Sequence, residues 1–138
     1  MRSPVRTTDD RTGRLGEGFE RYSASLIVVS GGPCGEEHVV ARPRWLVGRG
    51  PDVDASFDDP KMSQRHLVIE FARGRFHVTD LDSTNGTRVN GTGIASSELA
   101  HGDRIQAGAH VFQILIERSD DARASRGSAG REVVSRVQ

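Results

Sequence analysis

An all-β sandwich is the fold this sequence predicts, on three observations. Apolar runs with a period of two recur through the middle of the chain, and Gly, Pro and Asn-Gly punctuate them. No window of helical length carries a 3.6-residue period. Short strands separated by turn signals indicate two antiparallel sheets packed face to face. At 138 residues the chain can hold one domain with its own core and tails, without disulfide or metal staples.

The expected strands fall in order. Leu26-Ile27-Val28-Val29 is a β-branched run ended by Ser30-Gly31-Gly32-Pro33. His38-Val39-Val40 and Trp45-Leu46-Val47 follow, separated by Pro43, and Gly48 closes the second. Leu67, Ile69 and Phe71 alternate with Val68 and Glu70, so one face of that strand lies on the core. Arg73-Gly74 turns the chain into Phe76-His77-Val78-Thr79, which alternates again. Two Asn-Gly pairs, Asn85-Gly86 and Asn90-Gly91, then favour positive φ and hence tight antiparallel turns. Ile105-Gln106-Ala107 and a last strand from His110 to Glu117 complete the set, with Phe112, Ile114 and Ile116 on one side.

Residues 1–22 are polar, aperiodic and rich in Arg, Thr, Asp and Gly, and read as a disordered N-terminal tail. Residues 23–118 form the expected domain, and 119–138 read as a flexible C-terminal tail or linker. Nineteen basic residues balance nineteen acidic ones. That argues against nucleic acid as the main ligand, since phosphate-backbone binding usually shows as a basic excess. Lys61 is the only lysine, and Cys34 is the only cysteine. One cysteine allows no internal disulfide and no thiolate metal set. The five histidines lack the spacing of a helical zinc pair, so neither metal nor cofactor is expected. No apolar run reaches the length of a membrane span, and the Arg-dotted N-terminus lacks a signal-peptide core. A cytoplasmic setting is the expectation.

Four loop segments gather the polar groups: Gly48-Arg49, Met62-Ser63-Gln64-Arg65-His66, Ser83-Thr84-Asn85-Gly86-Thr87 and Asn90-Gly91. They offer a guanidinium, hydroxyls, amides and backbone N–H groups. Ser63, His66 and Asp80 invite a nucleophilic reading. Yet Ser63 and His66 share one short segment, and nothing suggests an oxyanion site. Recognition, not reaction, is what these residue types support.

The ordered set Gly48-Arg49, Ser63, His66, Asp80-Leu81, Ser83-Thr84-Asn85-Gly86-Thr87, Val89-Asn90-Gly91, Leu99, Gly102-Asp103 and Gly108 resembles the forkhead-associated (FHA) domain over residues 24–117. The resemblance implies an FHA-type (SMAD/FHA-like) β-sandwich of about eleven strands, whose apical loops bind phosphothreonine in an extended peptide. It implies a binding module without enzymatic activity, working in Ser/Thr-kinase signalling. By the same resemblance, Arg49 makes charge-assisted bonds to the phosphate, and Ser63 donates its hydroxyl and backbone N–H to the same oxygens. Arg65 adds a second positive charge, and the Gln64 amide assists. Thr84 lines the pocket around the phosphate and the threonine methyl, while Asn85 bonds the peptide main chain. Lys61 sits where similar domains select the residue three after the phosphothreonine, with an acidic preference. His66 braces the loop, and Gly48, Gly86, Asn90 and Gly91 shape it.

The expected partners are phosphothreonine proteins and a Ser/Thr kinase, with neither nucleic acid nor membrane. Thr7 and Thr8 are candidate phosphoacceptors through which the N-terminal tail folds into the domain's own pocket or a neighbour's. The alternative reading is an FHA fold used as a phosphate-independent interaction or oligomerisation surface.

Overall fold

The computed structural model describes residues 15–119. Among them, eleven strands follow in chain order: β1 (Tyr22–Ser30), β2 (Glu37–Val39), β3 (Arg44–Gly48), β4 (Ala55–Ser56), β5 (Leu67–Ala72) and β6 (Arg75–Asp80), then β7 (Thr87–Val89), β8 (Thr92–Ile94), β9 (Ser96–Leu99), β10 (Arg104–Ala107) and β11 (His110–Arg118). They form a six-stranded sheet, β2-β1-β11-β10-β7-β8, and a five-stranded sheet, β4-β3-β5-β6-β9. The expected all-β sandwich is the fold observed.

Side-chain alternation explains how the two sheets meet. On β1, Ala24, Leu26 and Val28 turn inward, and on β11 so do Phe112 and Ile114. From the other sheet come Trp45, Val47, Leu67, Ile69, Phe71, Phe76 and Val78, and all of these join one buried cluster. Phe71 and Phe76 are paired across the β5–β6 ladder with ring centroids 4.9 Å apart, edge to face. Burial of this kind contributes roughly 25 cal/mol per Å² of apolar surface and leaves the loops free to vary.

Three features depart from the sequence expectation. Packing begins before residue 22. Leu15 bridges Ala72, the Gly16 N–H donates to the Phe71 carbonyl at 2.8 Å, and a 3-10 turn at Phe19–Arg21 sets Phe19 edge-on to Phe71. An aromatic ring at the end of a polar stretch closes the core, which composition alone does not reveal. Second, Val68 is 3% exposed although it lies on the opposite face of β5 from Leu67 and Ile69, so that strand is buried on both faces near its start. Third, β4, β8 and β9 have no apolar run to mark them, because they are short outer strands held by ladder bonds.

Register gathers the polar loops at one end. Val47 opposes Leu67, and Leu67 opposes Asp80, so the end of β3, the start of β5 and the end of β6 coincide. In the other sheet Ala107 opposes both Thr87 and His110, which brings the start of β7 and the β10–β11 turn together.

Candidate binding site at the loop rim

The β3–β4 and β4–β5 loops are zipped backbone to backbone. The Arg49 N–H donates to the Ser63 carbonyl at 2.9 Å, and the Gly50 N–H donates to the Gln64 carbonyl at 3.0 Å. Gly48 permits this approach, since a Cβ there would lie 2.2 Å from the Gln64 carbonyl oxygen. Arg49 itself is exposed, and its Nε donates to the Met62 carbonyl at 3.1 Å. One edge of the guanidinium is thus tethered. Its terminal nitrogens form no ion pair among the described residues.

His66 is fully buried and ties three segments together. Its Nδ1 accepts the Ser63 backbone N–H at 3.0 Å, so the ring proton sits on Nε2, which donates to the Gly86 carbonyl at 2.8 Å. The Ser63 hydroxyl oxygen accepts the Thr84 N–H at 2.9 Å. Of the two Ser63 donors expected to face a phosphate, the backbone N–H bonds His66 in this structure, while the hydroxyl proton has no acceptor among the described residues. The same bonds leave no Ser–His–Asp relay, because both His66 nitrogens are engaged elsewhere.

The loop carrying Thr84 and Asn85 is organised by Asp80. Its Oδ1 accepts the Ser83 hydroxyl at 2.5 Å and the Thr87 hydroxyl at 2.7 Å, and its Oδ2 accepts the Ser83 N–H at 3.1 Å. Burial pushes the Asp80 carboxyl up, but these donors outweigh it and hold the pKa below the ordinary 3.8. The Ser83 hydroxyl oxygen in turn accepts the Gly86 N–H at 2.9 Å. Thr84 and Asn85 stand exposed on this scaffold. Asn85 donates through Nδ2 to the Lys61 carbonyl at 2.8 Å, which leaves its carbonyl oxygen and a second amide proton facing outward.

The remaining expected residues divide. Arg65 is not a free second charge: Asp52 Oδ2 accepts its Nε at 2.9 Å and one terminal nitrogen at 2.5 Å. That hydrogen-bonded pairing raises the Arg65 pKa and lowers that of Asp52. Gln64 is exposed, with its amide oxygen beside Gly50. The Lys61 side chain is exposed and in no ion pair among the described residues. Asn90 and Gly91 form the β7–β8 turn, away from these contacts. Thr7 and Thr8 lie outside the described residues.

One support was not legible in the sequence. Asp59, 2% exposed, accepts from His110 Nδ1 and the Ala109 N–H, each at 2.8 Å, through Oδ2. Through Oδ1 it accepts the Lys61 N–H at 2.9 Å. Burial raises its pKa, but the bonds from His110, Lys61 and Ala109 outweigh it and keep the carboxyl below 3.8. The pair, 51 residues apart, pins the loop of Lys61, Met62 and Ser63 to the β10–β11 turn. No local motif announces a contact of that separation. Among the described residues no cluster of His, Cys, Asp or Glu is arranged to hold a metal, and no helix is long and apolar enough to cross a membrane.

A six-plus-five sandwich whose apical loops are stapled by a buried histidine and a turn-capping aspartate is an FHA-type β-sandwich. The chain belongs to the FHA domain family. The family profile matches residues 45–108. The glycogen accumulation regulator GarA of Mycolicibacterium smegmatis is 37% identical over 107 residues, which cover 77% of this chain and 68% of that protein. The oxoglutarate dehydrogenase inhibitor of Corynebacterium glutamicum is 34% identical over 108 residues, covering 78% of this chain and 74% of that one. A solved structure from a structural and functional analysis of phosphothreonine-dependent FHA domain interactions superposes with a TM-score of 0.62 at 31% identity, over 67% of this chain and 95% of the other.

Proposed function

We propose that this chain is a phosphothreonine-peptide binding module of Ser/Thr-kinase signalling, without catalytic activity of its own. The observation that carries the reading is the tethered Arg49 guanidinium, whose terminal nitrogens form no ion pair among the described residues, on a residue whose backbone N–H bonds the Ser63 carbonyl. A phosphothreonine brings roughly −1.5 to −2 charges and three acceptor oxygens near neutral pH. Arg49 and Ser63 meet the phosphate, Thr84 lines its flank, and Asn85 turns its free amide edge to the peptide main chain. Arg65 is paired with Asp52, whereas Arg49 forms no ion pair among the described residues, so Arg49 is the principal charge in this reading, with Lys61 next to the Met62 carbonyl it bonds. Rigid loops lower the ordering cost of binding, and His66, Asp80 and Asp59 supply that rigidity. Relatives named as a regulator and as an enzyme inhibitor support a role through binding.

The partners in this reading are cytoplasmic proteins phosphorylated on threonine by a Ser/Thr kinase. The chain's own tail, phosphorylated at Thr7 or Thr8, is a further candidate ligand. Threonine over serine gains only one buried methyl, about 0.8 kcal/mol or roughly fourfold. A hydrogen bond to a charged group contributes about 1.5–3 kcal/mol, so Arg49 outweighs the methyl. Arg49→Ala is therefore expected to remove phosphopeptide binding in a calorimetric titration while the melting temperature stays nearly constant. Retained phosphopeptide affinity in that variant sinks the assignment. Capture of an unphosphorylated partner that survives it favours a phosphate-independent surface instead.

A further inference from the structure

The tether of Arg49 continues past Met62. The carbonyl that accepts from Arg49 Nε belongs to a residue whose own N–H donates to the Asp59 carbonyl at 2.9 Å. The Asp59 carboxylate holds the same loop at Lys61 through Oδ1, and through Oδ2 it accepts from His110 Nδ1 and the Ala109 N–H. The path from Arg49 therefore ends on an imidazole in the other sheet. Packing fixes that ring. It is 6% exposed, stacked on Phe112 with planes 16° apart, and tilted against Phe57 at 5.0 Å between centroids. At its other nitrogen stands the β1–β2 turn: a Cβ at Gly32 would come 2.8 Å from His110 Nε2, and one at Gly31 would come 2.1 Å from the Ala109 carbonyl oxygen.

We infer that His110 is a positioning residue for the phosphothreonine site, acting through Asp59 and Met62 to aim the Arg49 guanidinium. The inference rests on the phosphopeptide reading above. A planar guanidinium bonded at Nε points its terminal nitrogens where the accepting carbonyl allows, so the place of the Met62 carbonyl sets their direction. Without His110, the buried Asp59 carboxylate is short of a donor and must move or admit water, and the Lys61–Met62 segment it holds moves with it. Binding must then order both the loop and the arginine, which weakens it. His66 acts on the other half of the site, since its ring bonds Ser63 and Gly86. One buried histidine thus holds the hydroxyl loop, and the other directs the guanidinium.

The test compares His110→Ala, His110→Asn and Gly32→Ala in the full chain. Calorimetric titration reads phosphothreonine-peptide affinity, and NMR without peptide reads the Arg49 Nε–H resonance. His110→Ala is expected to displace that resonance and weaken binding by about tenfold, within the range of effects carried along a packed network. Asn offers an Nδ2 donor where Nδ1 stood, so His110→Asn should keep affinity within about twofold of the parent. Gly32→Ala crowds Nε2 at a residue without positive φ, and should weaken binding by about threefold. Leu99→Ala is the stability control: buried opposite Phe76, at the far end of β6 from Asp80, it should lower the melting temperature and leave affinity unchanged. Parent affinity in His110→Ala, an unmoved Arg49 resonance, or an equal affinity loss in Leu99→Ala overturns the inference. Should His110→Ala fail to fold, unchanged affinity in Gly32→Ala overturns it. A parent chain that binds no phosphopeptide yet shows the displaced resonance sinks the phosphothreonine reading and upholds the link from His110 to Arg49.

Discussion

Asn85-Gly86 and Asn90-Gly91 are the same dipeptide, five positions apart, in two different structural settings. At the second, Asn90 and Gly91 both adopt positive φ, 51° and 88°, and close the β7–β8 hairpin as Asn-Gly turns commonly do. The Asn90 side chain is spent on the fold: its Nδ2 donates to Asp103 at 3.1 Å, and its Oδ1 accepts the Arg104 N–H at 2.9 Å. At the first, only Gly86 has positive φ, at 83°, and the pair is not a hairpin turn. There Asp80 bonds Ser83 and Thr87, His66 takes the Gly86 carbonyl, and Asn85 keeps half of its amide free. A dipeptide prefers a backbone conformation, but its non-local partners decide whether it shapes the chain or meets a ligand.

The sharpest way to break this contrast is His66→Ala, which removes the brace beneath the first loop but nothing beneath the second. It deletes a fully buried side chain and strands the Ser63 N–H, at a cost of about 3 kcal/mol. Denaturant unfolding should show that loss together with weakened phosphopeptide binding. A variant as stable as the parent would mean the histidine is not holding the loop.

Next, Asn85→Ala and Asn90→Ala should separate binding from stability. Asn85→Ala is expected to lower phosphopeptide affinity by about tenfold, with a small change in melting temperature. Asn90→Ala places a β-carbon without a helpful side chain at φ 51° and loses its bonds to Asp103 and Arg104, costing about 2 kcal/mol. Its phosphopeptide affinity should hold. Opposite results from calorimetry and thermal melts would exchange the roles assigned to the two turns.

The smallest expected effect is on acid stability. Folding lowers the pKa of Asp80, so near that range the unfolded chain binds more protons than the native one. The stability this contributes is complete above the unfolded value of 3.8 and is lost as pH falls through the lower native value. Asp80→Asn should flatten that decline, measured by unfolding between neutral pH and the acid range. An unchanged acid limb would remove Asp80 from the account of loop rigidity.

Much of the fold was legible because it is written locally. Leu26 to Val29, Leu67 to Phe71 and Phe76 to Thr79 carry period-two patterns that survive any change of neighbours. Outer strands such as Ala55–Ser56 and Thr92–Ile94 were not, since ladder partners rather than apolar faces define them. Phe19 shows the same limit at the N-terminal boundary, where a single ring in a polar stretch finds Phe71 and Phe76. In the site, the residue types were readable, but their engagement was not. Ser63 has its N–H spent on His66, Arg65 is paired with Asp52, and Asp59 with His110 carries a load no motif marks.

By itself the sequence determined an all-β chain with balanced charge, two Asn-Gly pairs, and the guanidinium, hydroxyls and amides of four polar loops. Alternation and turn propensity are properties of neighbouring residues, so they can be read along the chain. Tertiary structure alone decided which of those groups remain free. A donor or a charge is available to a ligand only after partners tens of residues away have taken their share, and strand register sets which partners come within reach.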